Sequence, residues 1–459
     1  MPLSSDAPPP AATGLEVRPF RALTYRLRDP EHLARVSSPA YDLVTAAGRE
    51  SLAAADPYNI VRLILPRVEP PPGRGDEPAD GTVTGGTPGA GPAGGTDGFA
   101  DPARSAAAAA EELGRWQAEG VLERDAGPAL WLYELRPPGS PTTTRGWLGA
   151  VALPAAGSRA VLPHEDTYPL AVEGRRALLS ATRTDLEPIV LAHDPDEEVT
   201  ALADAVAARP ADLQLTDADG VQHLLWRVGE PELLDRVRAA LQRTGAVIAD
   251  GHHRFAAAQA HARQQPGAPG ADAVLALVTP MGPGGLRVEA IHRVVPDLPF
   301  DQAVAAASAG FAVEPFPLPT GDDAVDALDR WVHGTDGAAW LVTDGRSAAV
   351  LRGPSPDVLA AVPGEAPEAW RGLDVVLAHA GLVEHLWHRA DDPGSVLVAH
   401  DVPQALQLAR AREGVAVLLR APSPADVAAV ARAGARMPRK STLFVPKPRT
   451  GLVLRPLED

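Results

Sequence analysis

The sequence predicts a mixed α/β protein with an α+β mixed sheet, built from two main globular parts. Three observations lead there. At 459 residues the chain is too long for one core. Short apolar runs of strand type alternate with amphipathic stretches of helical period along most of it. Several of those runs also follow one another without a helix between them, which argues against a purely parallel, doubly wound sheet.

Residues 1–16, rich in Pro, Ala and Ser, read as a disordered tail. An N-terminal domain follows over 17–298. Its first strand is expected at Tyr58–Leu63. The stretch Pro66–Ala103 interrupts it with Gly, Pro, Asp and Thr and reads as a disordered insertion. A helix over Ser105–Ala118 comes next, with Ser105 as N-cap. Further strands are expected at Leu130–Leu135, Trp147–Leu153, Ile189–Ala192, His223–Val228, Ala246–Ala249, Ala273–Val278 and Val288–Val294. Helices are expected at Val172–Thr182, Val199–Ala208, Pro231–Arg243 and Arg254–Arg263. Prolines cluster over Pro296–Pro319, and the boundary is placed there. The C-terminal domain, 299–459, carries strands at Trp340–Thr343, Ala348–Leu351, Val396–Ala399 and Val415–Leu419, and a long apolar helix at Leu373–Trp387. Ser423-Pro424-Ala425-Asp426 has the form of a capped helix start. The last segment of this domain is expected to return to the site of the first. No internal repeat is present.

Composition narrows the function. The net charge is −17 and no basic run is present, so phosphate repulsion disfavours nucleic acid as a partner. The absence of cysteine removes disulfides, thiolate metal sites and cysteine nucleophiles. No apolar stretch approaches the roughly 18–20 residues that span a bilayer, and the first residues lack a signal-peptide pattern. The expected setting is the cytoplasm, with a small-molecule partner. Oligomeric state is left open.

The segment densest in chemistry is Ala246–Ala258. An apolar strand ends at Asp250-Gly251, and His252-His253-Arg254 opens an alanine-rich helix. The unpaired amides of a first helical turn form an anion site. Gly251 lets a phosphate approach the backbone, His252, His253 and Arg254 add donors, and Asp250 could orient an imidazole or hold Mg²⁺. His164 and Glu165 follow Pro163 and could supply a general base or a metal ligand. Lys440, Ser441 and Thr442 form a basic, hydroxyl-rich turn suited to a phosphate oxygen. Arg175, Arg176, Arg183 and Thr184 are further residues that could face a phosphate. Arg18–Arg21, Ser38–Asp42 and His292 read as packing features.

Arg18-Pro19-Phe20, Tyr58–Leu63, Leu162–Glu165, Asp250–Arg254, His292-Arg293 and Met437–Thr442, taken in this order, resemble the prokaryotic family known as domain of unknown function 1015. Gly251-x-His253-Arg254 opening an alanine-rich helix is also similar to the Gly-x-His-Arg signature of the ParB/sulfiredoxin fold. That resemblance implies a nucleotide-binding core whose turn holds phosphates. Sulfiredoxin has a reactive cysteine where this chain has His252, so that chemistry is absent. The free-serine kinase branch has a catalytic glutamate upstream, for which Glu165 is the matching position.

These readings converge on a kinase-like phosphotransferase using ATP or ADP with Mg²⁺. Its substrate would be a small hydroxylated metabolite, with serine or phosphoserine first. His253, Arg254 and the helix start would bind phosphates, Asp250 would hold Mg²⁺ or His253, Glu165 would be the base, and Lys440 with Ser441 would close the site. Two alternatives are a metal-dependent hydrolase or phosphatase, using His164, His252, His253 and Asp250 as ligands, and a non-catalytic nucleotide sensor.

Overall fold

The computed structural model describes residues 14–67, 101–139, 142–155, 157–282, 284–334, 337–390, 392, 394–438 and 440–457. Most of the expected tail and of the expected insertion therefore lies outside the described residues. The chain divides into two compact units. The first comprises residues 1–161, 167–285 and 446–459; the second comprises 162–166 and 286–445.

In the first unit the central sheet runs in the order Ala246–Asp250, Ile189–His193, Ala273–Pro280, Thr144–Ala152, Leu130–Arg136, Gln222–Val228, Leu213–Thr216, and Val17–Arg18 pairs with Thr144–Ala152. Ala273–Pro280 pairs parallel with Ile189–His193 and antiparallel with Thr144–Ala152, so the sheet is mixed as expected. Its strands are almost wholly apolar because both faces are covered. Alternate residues divide between two clusters. Trp131, Tyr133, Leu148 and Leu275 pack on one face with Leu113, Trp116 and Leu178 from helices Pro102–Ala118 and Pro169–Thr182. Leu130, Leu132, Trp147 and Val274 pack on the other, with Val199, Val237 and Phe255 from helices Glu197–Ala207, Pro231–Leu241 and His252–Gln264.

The second unit carries an antiparallel sheet in the order Ala312–Pro315, Ala348–Arg352, Trp340–Thr343, Val415–Leu418, His292–Val295, Leu397–Ala399. A separate ribbon joins Arg287–Ala290 to Thr442–Val445. At the capped start Ser423 receives the Asp426 amide, and the Asp426 carboxylate receives the Ser423 amide in return.

Several expectations need correction. Tyr58–Leu63 is not a strand. Asn59 is buried, its Oδ1 accepts the Val61 amide at 2.9 Å, and a short helix Val61–Ile64 follows. The helix placed at Ser105 starts at Pro102, where the Asp101 carboxylate caps the Arg104 amide. Val288–Val294 splits into two strands of different sheets, Arg287–Ala290 and His292–Val295. The long apolar helix expected at Leu373–Trp387 is present, but it is α-helical only over Asp374–Val376 and continues as a wider π-helix over Leu377–Leu386. The proline cluster does not separate the units. Pro299 caps the helix Phe300–Ala307 inside the second, and the division falls between Gly285 and Leu286.

Candidate functional site

The strand Ala246–Asp250 ends at Gly251, whose φ of 93° is left-handed, and helix His252–Gln264 starts at once. Glycine is required there twice over. A side chain would be strained at that φ, and an added Cβ would lie 2.7 Å from Ile189 Cγ2. With no side chain at the cap position, backbone alone presents the first turn of a 13-residue helix, where the dipole favours an anion.

Behind this turn lies a chain of alternating charges. Lys447 Nζ donates to Asp250 Oδ1 at 2.6 Å and to Asp42 Oδ2 at 2.5 Å. Arg254 donates from one terminal nitrogen to Asp250 Oδ2 at 2.5 Å and from the other to the Pro188 carbonyl at 2.6 Å. The side chains of Lys447, Arg254 and Asp250 are only 9%, 10% and 13% exposed. Burial by itself would raise the Asp250 pKa, but the cations of Lys447 and Arg254 outweigh it and hold the carboxyl at about 2. Burial lowers the pKa of Lys447, yet Asp250 and Asp42 more than reverse this, so the ammonium stays charged throughout the physiological range. Both Asp250 oxygens are thus engaged by cations, and Arg254 points inward rather than to solvent.

The ring of Tyr41 sits beside this chain, with the Arg175 guanidinium 3.5 Å and that of Arg254 5.6 Å from its centre. Glu187 Oε1 accepts the Tyr41 amide and the Thr450 hydroxyl, each at 3.1 Å. A cavity of about 40 Å³ beside the turn is lined by Arg175, Glu187, Asp185 and Arg254.

The two histidines of the turn differ. His252 is buried at 7% exposure and stands beside Asp250. His253 lies against Tyr168 with ring planes 15° apart and centres 5.7 Å apart, and its Nε2 accepts the Tyr168 amide at 3.1 Å. An acceptor nitrogen carries no proton, so in this arrangement the ring proton belongs on Nδ1.

His164, Glu165 and Lys440–Thr442 belong to the second unit. There His164 is buried, its Nε2 lies 3.0 Å from Thr442 Oγ1, and its ring contacts Phe444. Its carbonyl accepts the Met437 amide at 2.7 Å. Ser441 is buried and donates to the Pro438 carbonyl. Glu165 is half-buried, and Lys440 is exposed with a left-handed φ of 52°.

Sequence reasoning passed over Asp42, read as a packing residue, and did not single out Lys447. Each stands in an unremarkable proline-flanked segment. One signal was available for Lys447: the chain has only two lysines, and every other basic side chain is arginine. Among the described residues no group of three or more His, Asp or Glu side chains could hold a metal ion, and no helix is long and apolar enough to cross a membrane.

Fold and turn together define a mixed α/β protein with a glycine-pivoted helix start backed by buried ion pairs. The chain belongs to the family described as "Protein of unknown function (DUF1015)", whose model matches residues 17–82 and 92–376. No curated protein matches it. Among solved structures it is similar to a free serine kinase in complex with AMP, at 14% identity, a TM-score of 0.31, and coverage of 67% of this chain and 90% of that one. It is also similar to SbnI with a C-terminal truncation from Staphylococcus aureus, at 14% identity, a TM-score of 0.34, and coverage of 68% and 87%. A conserved hypothetical protein from Pyrococcus furiosus gives 12% identity, a TM-score of 0.29, and coverage of 67% and 93%. At these scores neither ligand nor chemistry carries over from those proteins.

Proposed function

We propose that the Gly251 turn binds the phosphates of ATP or ADP, in a ParB/sulfiredoxin-like core, and that the protein is a cytoplasmic phosphotransferase acting on a small hydroxylated metabolite, with serine the first substrate to try. The observation that carries this is Gly251 at φ 93°, which opens a long helix directly after an apolar strand. Backbone amides at that point can meet a phosphate at close range, and the helix dipole favours its charge. His253 adds an Nδ1–H donor. Arg254 and Lys447 act on Asp250, fixing the strand end from which the turn departs.

Phosphoryl transfer needs chiefly positioning and charge neutralisation. Asp250 does not fit the Mg²⁺ role read from the sequence, because both its oxygens already hold cations. Any Mg²⁺ would enter on the nucleotide. Glu165 as the proton acceptor, and Lys440 with Ser441 as closing groups, rest on the sequence reading. Glu165→Gln should keep nucleotide affinity and abolish transfer, since a base acts in the chemical step.

The test is a thermal-shift screen of ATP, ADP and AMP with and without Mg²⁺, followed by phosphate transfer to L-serine and from phosphoserine, read by ³¹P NMR. A nucleotide present at 100 times its Kd should stabilise by about 2.7 kcal/mol. No shift with any nucleotide removes the reading. Binding without turnover on any acceptor would favour the sensor. The hydrolase alternative needs Asp250 as a metal ligand, and both its oxygens already receive cations.

A further inference from the structure

Two carboxylates converge in the first unit from distant parts of the chain, Asp42 from a short helical turn and Asp250 from a strand end. In many proteins such a pair gathers a divalent cation. Here the point between them is taken by Lys447 Nζ, 2.5 Å from one carboxylate and 2.6 Å from the other. Arg254 takes the remaining oxygen of Asp250. Two negative charges thus face two positive ones, and the group is neutral. A dication entering it would meet an ammonium and a guanidinium with no net negative charge to offset them.

We propose that Lys447 is the resident cation of this carboxylate pair, a positioning residue that replaces a divalent metal and holds the Asp250-Gly251 turn in place. The choice of residue supports this. The chain uses arginine at every basic position except 440 and 447. A guanidinium is planar and forked, whereas an ammonium is a compact point charge that can sit between two carboxylates at hydrogen-bond distance. Lys447 also arrives from far away, 405 residues beyond Asp42, on a segment outside the matched family region. That segment is anchored on both sides of Leu452–Leu454, which are buried. Arg449 donates to Ser37 Oγ at 2.6 Å, and Arg455 donates to Asp185 at 2.7 Å.

The inference concerns the same turn as the proposed nucleotide site, but its test uses metal without nucleotide, so the two can fail separately. The full-length wild type and Lys447→Met are melted in MgCl₂ or MnCl₂ alone, from pH 5 to pH 8. The wild type should show no metal-dependent shift. Lys447→Met should melt roughly 10 °C lower at pH 8, because Asp250 and the part-exposed Asp42 have lost their shared cation. It should recover as pH falls toward 5 and one carboxylate takes up a proton, and it should recover with millimolar Mn²⁺ at neutral pH. The charged and titratable groups facing the pair are Arg254, His252, Tyr41, Glu187 and Arg175, and all are unchanged in the variant. Should Lys447→Met not fold, Asp42→Asn with Lys447→Met removes the excess charge and should fold without any metal response. A metal-induced rise in the wild type that Asp250→Asn abolishes would overturn the proposal. So would a Lys447→Met protein with neither pH nor metal dependence, or a double variant no better folded than the single one.

Discussion

The turn 436–442 and the segment 446–457 lie side by side in sequence and carry the chain's two lysines, yet they behave in opposite ways. Lys440 belongs to the second unit and is exposed, next to Ser441 and Thr442, whose hydroxyls are engaged at Pro438 and His164. Lys447 belongs to the first unit and is buried between two carboxylates. By sequence the first segment is the more suggestive, since a lysine beside two hydroxyls resembles a phosphate site. By structure the second has the greater consequence. A charge is worth little at a solvated surface and a great deal where its removal leaves a partner buried and unpaired.

The largest effect should come from deleting residues 446–459. The loss takes Lys447, Arg449 and Arg455 from their buried partners and removes buried Leu452, Val453, Leu454 and Leu457 from the core. A cost of more than about 5 kcal/mol would exceed the margin of many domains, so little soluble protein is expected. A soluble deletion variant with an unchanged circular-dichroism melt would show that the segment is only an appendage.

Arg254→Ala comes next. It strands the buried Asp250 carboxylate and the Pro188 carbonyl, and should lower stability by about 3–5 kcal/mol in urea unfolding. A loss under about 0.5 kcal/mol would mean that the guanidinium is solvated and free to meet a ligand directly. Gly251→Ala should cost roughly 2–3 kcal/mol from backbone strain, and should weaken nucleotide binding because the turn must shift to relieve the clash of its Cβ with Ile189.

Of the two segments, the one carrying Lys447 leans on a carboxylate that acid will titrate. The Asp250 pKa lies at about 2 in the folded protein against an ordinary value of 3.8. Its contribution is fully present above pH 4 and is lost as pH falls from about 4 to 2. Arg254→Ala should move that window upward, measurable as a higher acid-unfolding midpoint. The smallest effect belongs to Lys440→Ala, which should change stability by no more than about 0.5 kcal/mol. A larger loss would erase the contrast between the two segments.

By itself the sequence determined the mixed α/β class, the six longest strands of the first unit, and the glycine-pivoted helix start after Asp250. These are local properties. Period, chain direction and the left-handed freedom of glycine are written in a few consecutive residues. Tertiary structure alone decided that Val288–Val294 divides between two sheets, that His164 meets Thr442, and which partners Lys447, Arg449 and Arg455 find in the first unit. It also decided which lysine is buried. Asp42, Asp250 and Lys447 carry no shared local pattern, and what joins them is the closing of long loops around a common core. The energy of a buried charge depends on its neighbours in space, which no short window of sequence contains.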